Sequence, residues 1–245
     1  MAARLATVIG ERYLWPEEHY LYDSLRGSTP VARLRPNALR AVSAGLVDPS
    51  LGRAAVERVA EADLTTPWGV RCLSSRDPEY DPQAYHEGQV WTIATAWAAD
   101  AAFEVGDRRR GLEYLRTIAA RYRAEGGFAH ECYRGDRAEP YDSRFLLGFS
   151  VAPFLTLLFE RLWGLRILSV GQALRVQPGF PDGWTSAKLG GLRIAEGRID
   201  LDWTPRRLRV RWVGPRTLSV EAGSQVRALA SGAETEFELA SASEI

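Results

Sequence analysis

At 245 residues and 46% hydrophobic, the chain can bury a sizeable core, which excludes general disorder. Thirty-one Lys and Arg balance thirty-one Asp and Glu with no basic tract, so net charge draws the chain neither to nucleic acid nor to anionic lipid, and a neutral partner fits best. Cys72 and Cys132 are isolated and the N-terminus lacks an apolar core, which points to free thiols and a cytoplasmic location.

Up to about Leu165 the apolar pattern is helical. Helices are predicted across Ala3 to Leu14 and near Asn37 to Ala44. Asp48 before Pro49 then reads as a cap followed by a favoured first-turn proline, opening a stripe of Leu51, Ala55, Val59 and Ala62. Val90, Ile93, Ala94, Trp97, Ala98 and Ala101 mark the next helix, stopped near Gly106. Leu112, Leu115, Ala119 and Tyr122 mark another, ending at Gly126 and Gly127. Phe145 to Phe159 is uncharged, shorter than the ~20 residues that cross a bilayer, and interrupted by Pro153, so it predicts a buried, kinked helix. Between these helices lie long loops rich in Pro, Asp, Arg and aromatics: Trp15 to Pro36, Thr65 to Gly88, and Phe128 to Ser143. Loops of that length in a compact domain usually carry function.

After Leu165 the period changes to two. Leu192 and Ile194, then Ile199, Leu201 and Trp203, then Leu208, Val210 and Trp212, then Leu218 and Val220 alternate with polar residues, and Glu196-Gly197 sits where a hairpin turns. Two domains are therefore expected, helical over 1–165 and a small antiparallel β domain over 166–245.

The chemistry narrows by residue type. His19, His86 and His130 are scattered, with no paired metal-ligand spacing, and neither a phosphate loop nor a G-x-S-x-G elbow occurs. No metal and no cofactor are expected. What remains is carboxylates among aromatics and arginines, a combination suited to polyhydroxylated ligands. Glu131, in "GGFAHECYRGD" beside Phe128, Tyr133 and Asp136, is the preferred carboxylate; read in isolation it is more often a solvated loop glutamate. Glu87 also reads as a favourable charge near a helix start, and Trp91 and Trp68 as core aromatics. Arg35 and Asn37, around Pro36, read alone as a turn and cap.

Taken in order, the segments "LYDSL" (21–25), "RLRPNALRAVS" (33–43), "LTTPWGVRCLSSRDPEY" (64–80), "AYHEGQVW" (84–91), "GGFAHECYRGDRAEP" (126–140) and "LGFSVAPFLTLLFERLWGLR" (147–166) carry a family pattern. They resemble the C-terminal catalytic region of glycogen debranching enzymes, the amylo-α-1,6-glucosidases of the six-hairpin glycosidase superfamily. Ala38 stands where that family has an amide, and Phe149 where it favours tryptophan.

The resemblance implies a mainly α fold, a partial (α/α)6 toroid with about half of the helices, followed by a small antiparallel β-sandwich. It implies inverting hydrolysis of α-glucosidic bonds in an α-glucan or oligosaccharide, with two carboxyls roughly 6.5 to 9.5 Å apart. Glu131 takes the position of the general base. Tyr85, His86, Glu87, Trp91, Trp68, Arg71, Arg35, Asn37 and Asp136 fall at substrate-binding positions. The family's general acid lies in an upstream Trp-Met-Asp segment with no counterpart here. The expectation is thus the C-terminal half of a split or larger enzyme, paired with an N-terminal half-toroid polypeptide or with itself, and incomplete as a catalyst alone. Two alternatives are a carbohydrate-binding or interaction protein without catalysis and a glucoamylase-like or trehalase-like hydrolase. Neither nucleic acid nor membrane is an expected partner.

Overall fold

A computed structural model describes residues 1–128 and 130–239. The chain divides into two compact units, Met1–Leu157 and Leu158–Ile245.

The first unit opens with α1 (Ala2–Arg12), which buries none of its residues. Two short antiparallel pairs follow: β1 (Leu14–Trp15) with β2 (Tyr20–Leu21), and β3 (Ser24–Arg26) with β4 (Thr29–Val31). A 3-10 turn at Pro36–Ala38 leads into the short α2 (Leu39–Ser43). In α3 (Pro49–Val59) the cap is the one the sequence implies: the Ser50 N–H donates to Asp48 Oδ1 at 2.8 Å. Then come β5 (Thr65–Thr66), β6 (Gly69–Arg71) and β7 (Val90–Trp91).

The centre of this unit is α4 (Thr92–Glu104), whose sequence TIATAWAADAAFE is apolar nearly all round. A helix without a polar face is a core helix, and its alanines let neighbours approach closely. It contacts α2, α3, α5 (Arg108–Ala124) and α6 (Gly148–Thr156). Asp107 caps α5 by accepting from the Arg110 N–H at 3.1 Å. Between α5 and α6, β8 (Cys132–Tyr133) joins β5, β6 and β7 in a four-stranded sheet of order β5-β6-β7-β8.

A π-helix, Leu157–Leu162, begins at the last residue of the first unit and runs into the second, which continues as eight strands. These are β9 (Leu165–Ser169), β10 (Ala173–Val176), β11 (Ala187–Ile194), β12 (Gly197–Thr204), β13 (Arg207–Val213), β14 (Leu218–Ala222), β15 (Gln225–Leu229) and β16 (Glu234–Glu238). They form two sheets, β15-β14-β10-β9 and β11-β12-β13-β16, around one core that includes Trp203, Trp212, Ile199, Val220 and Phe237. Along β12 and β13 every second side chain is buried, so the two-residue period marks the face turned to the core.

Several expectations are corrected. Among the described residues helix makes up 33% and strand 28%, in six α-helices and five sheets, so the expected mainly α fold is overturned. The physical reason is that the long loops are not structureless: each contributes short strands that satisfy its backbone by pairing. The second unit is not purely antiparallel either, because β10 and β14 pair in parallel. The segment from Phe145 becomes helix only at Gly148. In α6 only Ser150 is buried, while Phe145, Leu146 and Phe149 are 55%, 61% and 50% exposed. Val90 and Trp91, expected within a helix, are strand, and the helix starts at Thr92.

Candidate active site

The sheet β5-β6-β7-β8 assembles the site. Val70 pairs with Trp91 and Arg71 with Val90; Trp91 pairs in turn with Cys132, and Val90 with Tyr133. Three remote segments are thereby laid side by side: the loop of Trp68 and Arg71, the "YHEGQVW" segment, and the residues around Glu131. Gly88 is required where they cross. A Cβ there would lie 2.1 Å from the Asp81 carbonyl oxygen, and one on Gly135 would lie 2.2 Å from the Gly88 carbonyl oxygen.

Glu131 immediately precedes β8 and is only 9% exposed. The Tyr85 hydroxyl donates to its Oε1 in a short hydrogen bond. Both side chains line an open cleft of about 550 Å³ together with Pro140, Asp142, Ser143 and Arg144. Burial, and then the hydrogen bond to the Glu131 carboxylate, push the Tyr85 phenol up to about 12. At neutral pH Tyr85 is therefore a donor and Glu131 receives its proton side. Behind Tyr85, Trp91 meets its ring edge-on at 4.6 Å and donates its indole N–H to the Tyr85 carbonyl at 2.9 Å. His86 stacks on Trp91 at 5.4 Å and is itself exposed.

Other predicted residues are held by the fold rather than facing this cleft. Arg35 donates to the carbonyls of Cys72 (3.2 Å) and His86 (2.5 Å) and to Glu87 Oε1 (3.1 Å), so Arg35 and Glu87 brace the "YHEG" segment. Asn37 donates to Asp23 at 3.3 Å. The Trp68 indole donates to the Arg134 carbonyl at 3.0 Å, and Arg71 Nε to the Gly135 carbonyl at 2.9 Å. Asp136 is exposed and accepts from Arg134 through both oxygens, at 2.8 and 2.9 Å. Arg35, Arg71 and Trp68 thus tie backbone to backbone around the site.

Three cleft residues carry no signal in the sequence reading: Asp142, Ser143 and Arg144. Asp142 adopts a left-handed conformation (φ 44°), tolerated by Asp at a turn, and the "YDS" run before an apolar stretch is the local signal that could have found it. Arg144 is exposed and makes no ion pair among the described residues.

Both thiols near the site are neutral at pH 7, because burial pushes Cys72 up to about 11 and Cys132 up to about 12. Among the described residues no group of three or more His, Cys, Asp or Glu is placed to hold a metal ion. No helix among them is long and apolar enough to cross a membrane.

Residues 1–146 match the protein-family model described as a mannosylglycerate hydrolase MGH1-like glycoside hydrolase domain. No curated protein matches. Among solved structures, an uncharacterized conserved protein from Thermus thermophilus is similar at 18% identity and a TM-score of 0.50, over 64% of this chain and 38% of that one. The GH63 mannosylglycerate hydrolase of the same organism, in complex with Tris and D-glycerate, is similar at 18% identity and a TM-score of 0.50, over 64% of this chain and 37% of that one. At such identities the likeness is one of fold. The chain spans less than two fifths of the length of either structure.

Proposed function

The chain belongs to the MGH1-like glycoside hydrolase family, and from that premise we propose that it supplies the general-base side of an inverting glycoside hydrolysis. The observation that carries this reading is the buried Glu131 carboxylate, opening on the cleft with Tyr85 bonded to one of its oxygens. With Oε1 occupied by Tyr85, Oε2 is the oxygen that takes a proton from water. The water oxygen attacks the anomeric carbon, the bond to the leaving oxygen breaks, and a general acid protonates that oxygen. Inversion needs roughly 6.5 to 9.5 Å between the two carboxyls to admit the water.

The general acid comes, in this proposal, from polypeptide beyond the residues that line the cleft, either an N-terminal portion of a longer enzyme or a separate chain. Two observations support this: the solved relatives are more than twice as long as the region they share with this chain, and Phe145, Leu146 and Phe149 expose apolar surface next to the cleft residues. Asp142, exposed at the cleft, suits hydrogen bonding to sugar hydroxyls.

For the substrate we favour an α-glycoside whose leaving group carries a carboxylate, as in mannosylglycerate. Arg144 supports it, since its planar guanidinium lines the cleft without an ion pair among the described residues. A second reading, debranching-type hydrolysis of α-1,6-glucosidic bonds, is favoured by the segments "RLRPNALRAVS" and "AYHEGQVW".

The test is product analysis by proton NMR with mannosylglycerate, trehalose and a branched α-glucan, using the chain alone and together with any co-encoded helical partner. The expected first product is the β-anomer of the free sugar from mannosylglycerate and the branched α-glucan, and equal β- and α-glucose from trehalose, and Glu131→Gln should lower turnover by at least ~10²-fold while sugar binding persists. Release of only the α-anomer first, or undiminished turnover by Glu131→Gln, overturns the general-base role. Binding without turnover by the wild type favours a carbohydrate-binding protein instead.

A further inference from the structure

Resting on the general-base reading of Glu131, we infer that Thr92 is the positioning residue that sets how far the Glu131 carboxylate reaches into the cleft. Thr92 is the first residue of α4 and is 5% exposed. Its backbone N–H donates to the Glu131 carbonyl at 3.2 Å, and its hydroxyl donates to the His130 carbonyl at 2.9 Å. One residue therefore grips both carbonyls that flank the Cα of Glu131.

The two grips differ in what they require. A first-turn N–H has no partner inside its own helix, so any non-proline residue at position 92 would offer it to Glu131. The hydroxyl is specific to Ser or Thr. It fixes the peptide before the base, and with it the direction of the Cα–Cβ bond of Glu131. The far side of the same segment is tied to residues of the cleft wall: the Glu131 N–H donates to the Arg144 carbonyl at 3.0 Å, and the Cys132 N–H to Ser143 Oγ at 3.0 Å. The carboxylate thus hangs from a short length of chain tied on one side to the unit's most buried helix and on the other to the cleft wall.

General-base catalysis depends steeply on placement, since a displacement of about 1 Å can lower a rate on the order of 10²-fold. Thr92→Val keeps the branched shape and removes only the hydroxyl, and Thr92→Ser restores it. Two readouts are taken. In turnover, Thr92→Val is expected to lower kcat by about 10- to 100-fold with KM within about twofold, and Thr92→Ser to recover most of it. Independently of turnover, the Tyr85 phenol is followed by carbon-13 NMR of ring-labelled tyrosine, with Tyr85→Phe assigning its signal among nine tyrosines. Its titration near 12 reflects burial and the bond to Glu131. In Thr92→Val it should move down toward the ordinary phenol value of about 10, and in Thr92→Ser return.

A Thr92→Val protein with wild-type kcat and an unmoved Tyr85 titration overturns the inference. So does a fall in activity that merely tracks lowered thermal stability and is not recovered by Thr92→Ser. If Glu131→Gln keeps its turnover in the same assay, or the wild type has none, the general-base reading is what fails, and the Tyr85 titration still decides whether Thr92 places the carboxylate.

Discussion

The Tyr85 phenol ends on Glu131, while its own carbonyl accepts the Trp91 indole at 2.9 Å and the Cys72 thiol at 3.7 Å. Its side chain and backbone are therefore pinned separately, and removing the hydroxyl alone should not release the ring. Tyr85→Phe deletes one hydrogen bond to a charged acceptor, an interaction in the range of ~1.5–3 kcal/mol, so kcat is expected to fall roughly 10- to 150-fold. Unchanged circular dichroism should accompany the loss, because a phenyl ring keeps the edge contact to Trp91. A variant with full kcat would show that the bond serves only the fold. Residue types in the motifs are legible from the sequence, but directions are not. Arg71 and Trp68 are the types that bind sugars, yet each turns its N–H to a carbonyl of the 134–135 backbone, a choice made by tertiary pairing of strands too far apart for local pattern to register.

Elements show the same divide between what a local period reveals and what it cannot. The alternation in Ile199, Leu201 and Trp203 and in Leu208, Val210 and Trp212 marks β12 and β13 because each strand runs long enough for a period of two to repeat. Strands of two residues, such as β5, β7 and β8, contain no repeat at all, so in sequence their sheet reads as loop and the helical share of the chain is overestimated. The hairpin between β11 and β12 also turns one residue earlier than expected: Ile194 pairs with Gly197, and Ala195 and Glu196 make the turn, with Ala195 at φ 53°. Gly197 then has a different task. A Cβ there would lie 1.9 Å from the Trp212 ring, which is only 1% exposed. Gly197→Ala should force that ring out of its place and destabilise by about 1–3 kcal/mol or more, seen as a lower urea midpoint with an unchanged slope. A midpoint equal to wild type would mean that the indole yields without cost.

Across the whole molecule, thiols and phenols raised by burial shape the response to alkaline pH. Burial pushes Cys72 up to about 11 and Cys132 and Tyr122 to about 12; burial and then the bond to Glu131 hold Tyr85 near 12. Burial raises Tyr20 further, and burial followed by the Glu125 hydrogen bond does the same for Tyr133. In the unfolded chain thiols lose their protons near ~8.5 and phenols near ~10. From about pH 9 to 12 the folded state thus holds protons that the unfolded state has released, and rising pH favours unfolding. The expected result is a thermal midpoint steady around neutrality that falls progressively above pH 9, measured by circular dichroism; a flat profile to pH 11 would contradict these burials. The site's sheet also has a temporal side. Its edge strand β8, Glu131 before it and the cleft wall that ends at Arg144 all lie C-terminal to the strands they join. During synthesis, a chain interrupted before these residues holds β5 to β7 and Tyr85, but neither Glu131 nor the 140–144 wall of the cleft. The cleft is therefore among the last features the first unit acquires as it is made, and it waits on a long-range closure rather than on any local helix.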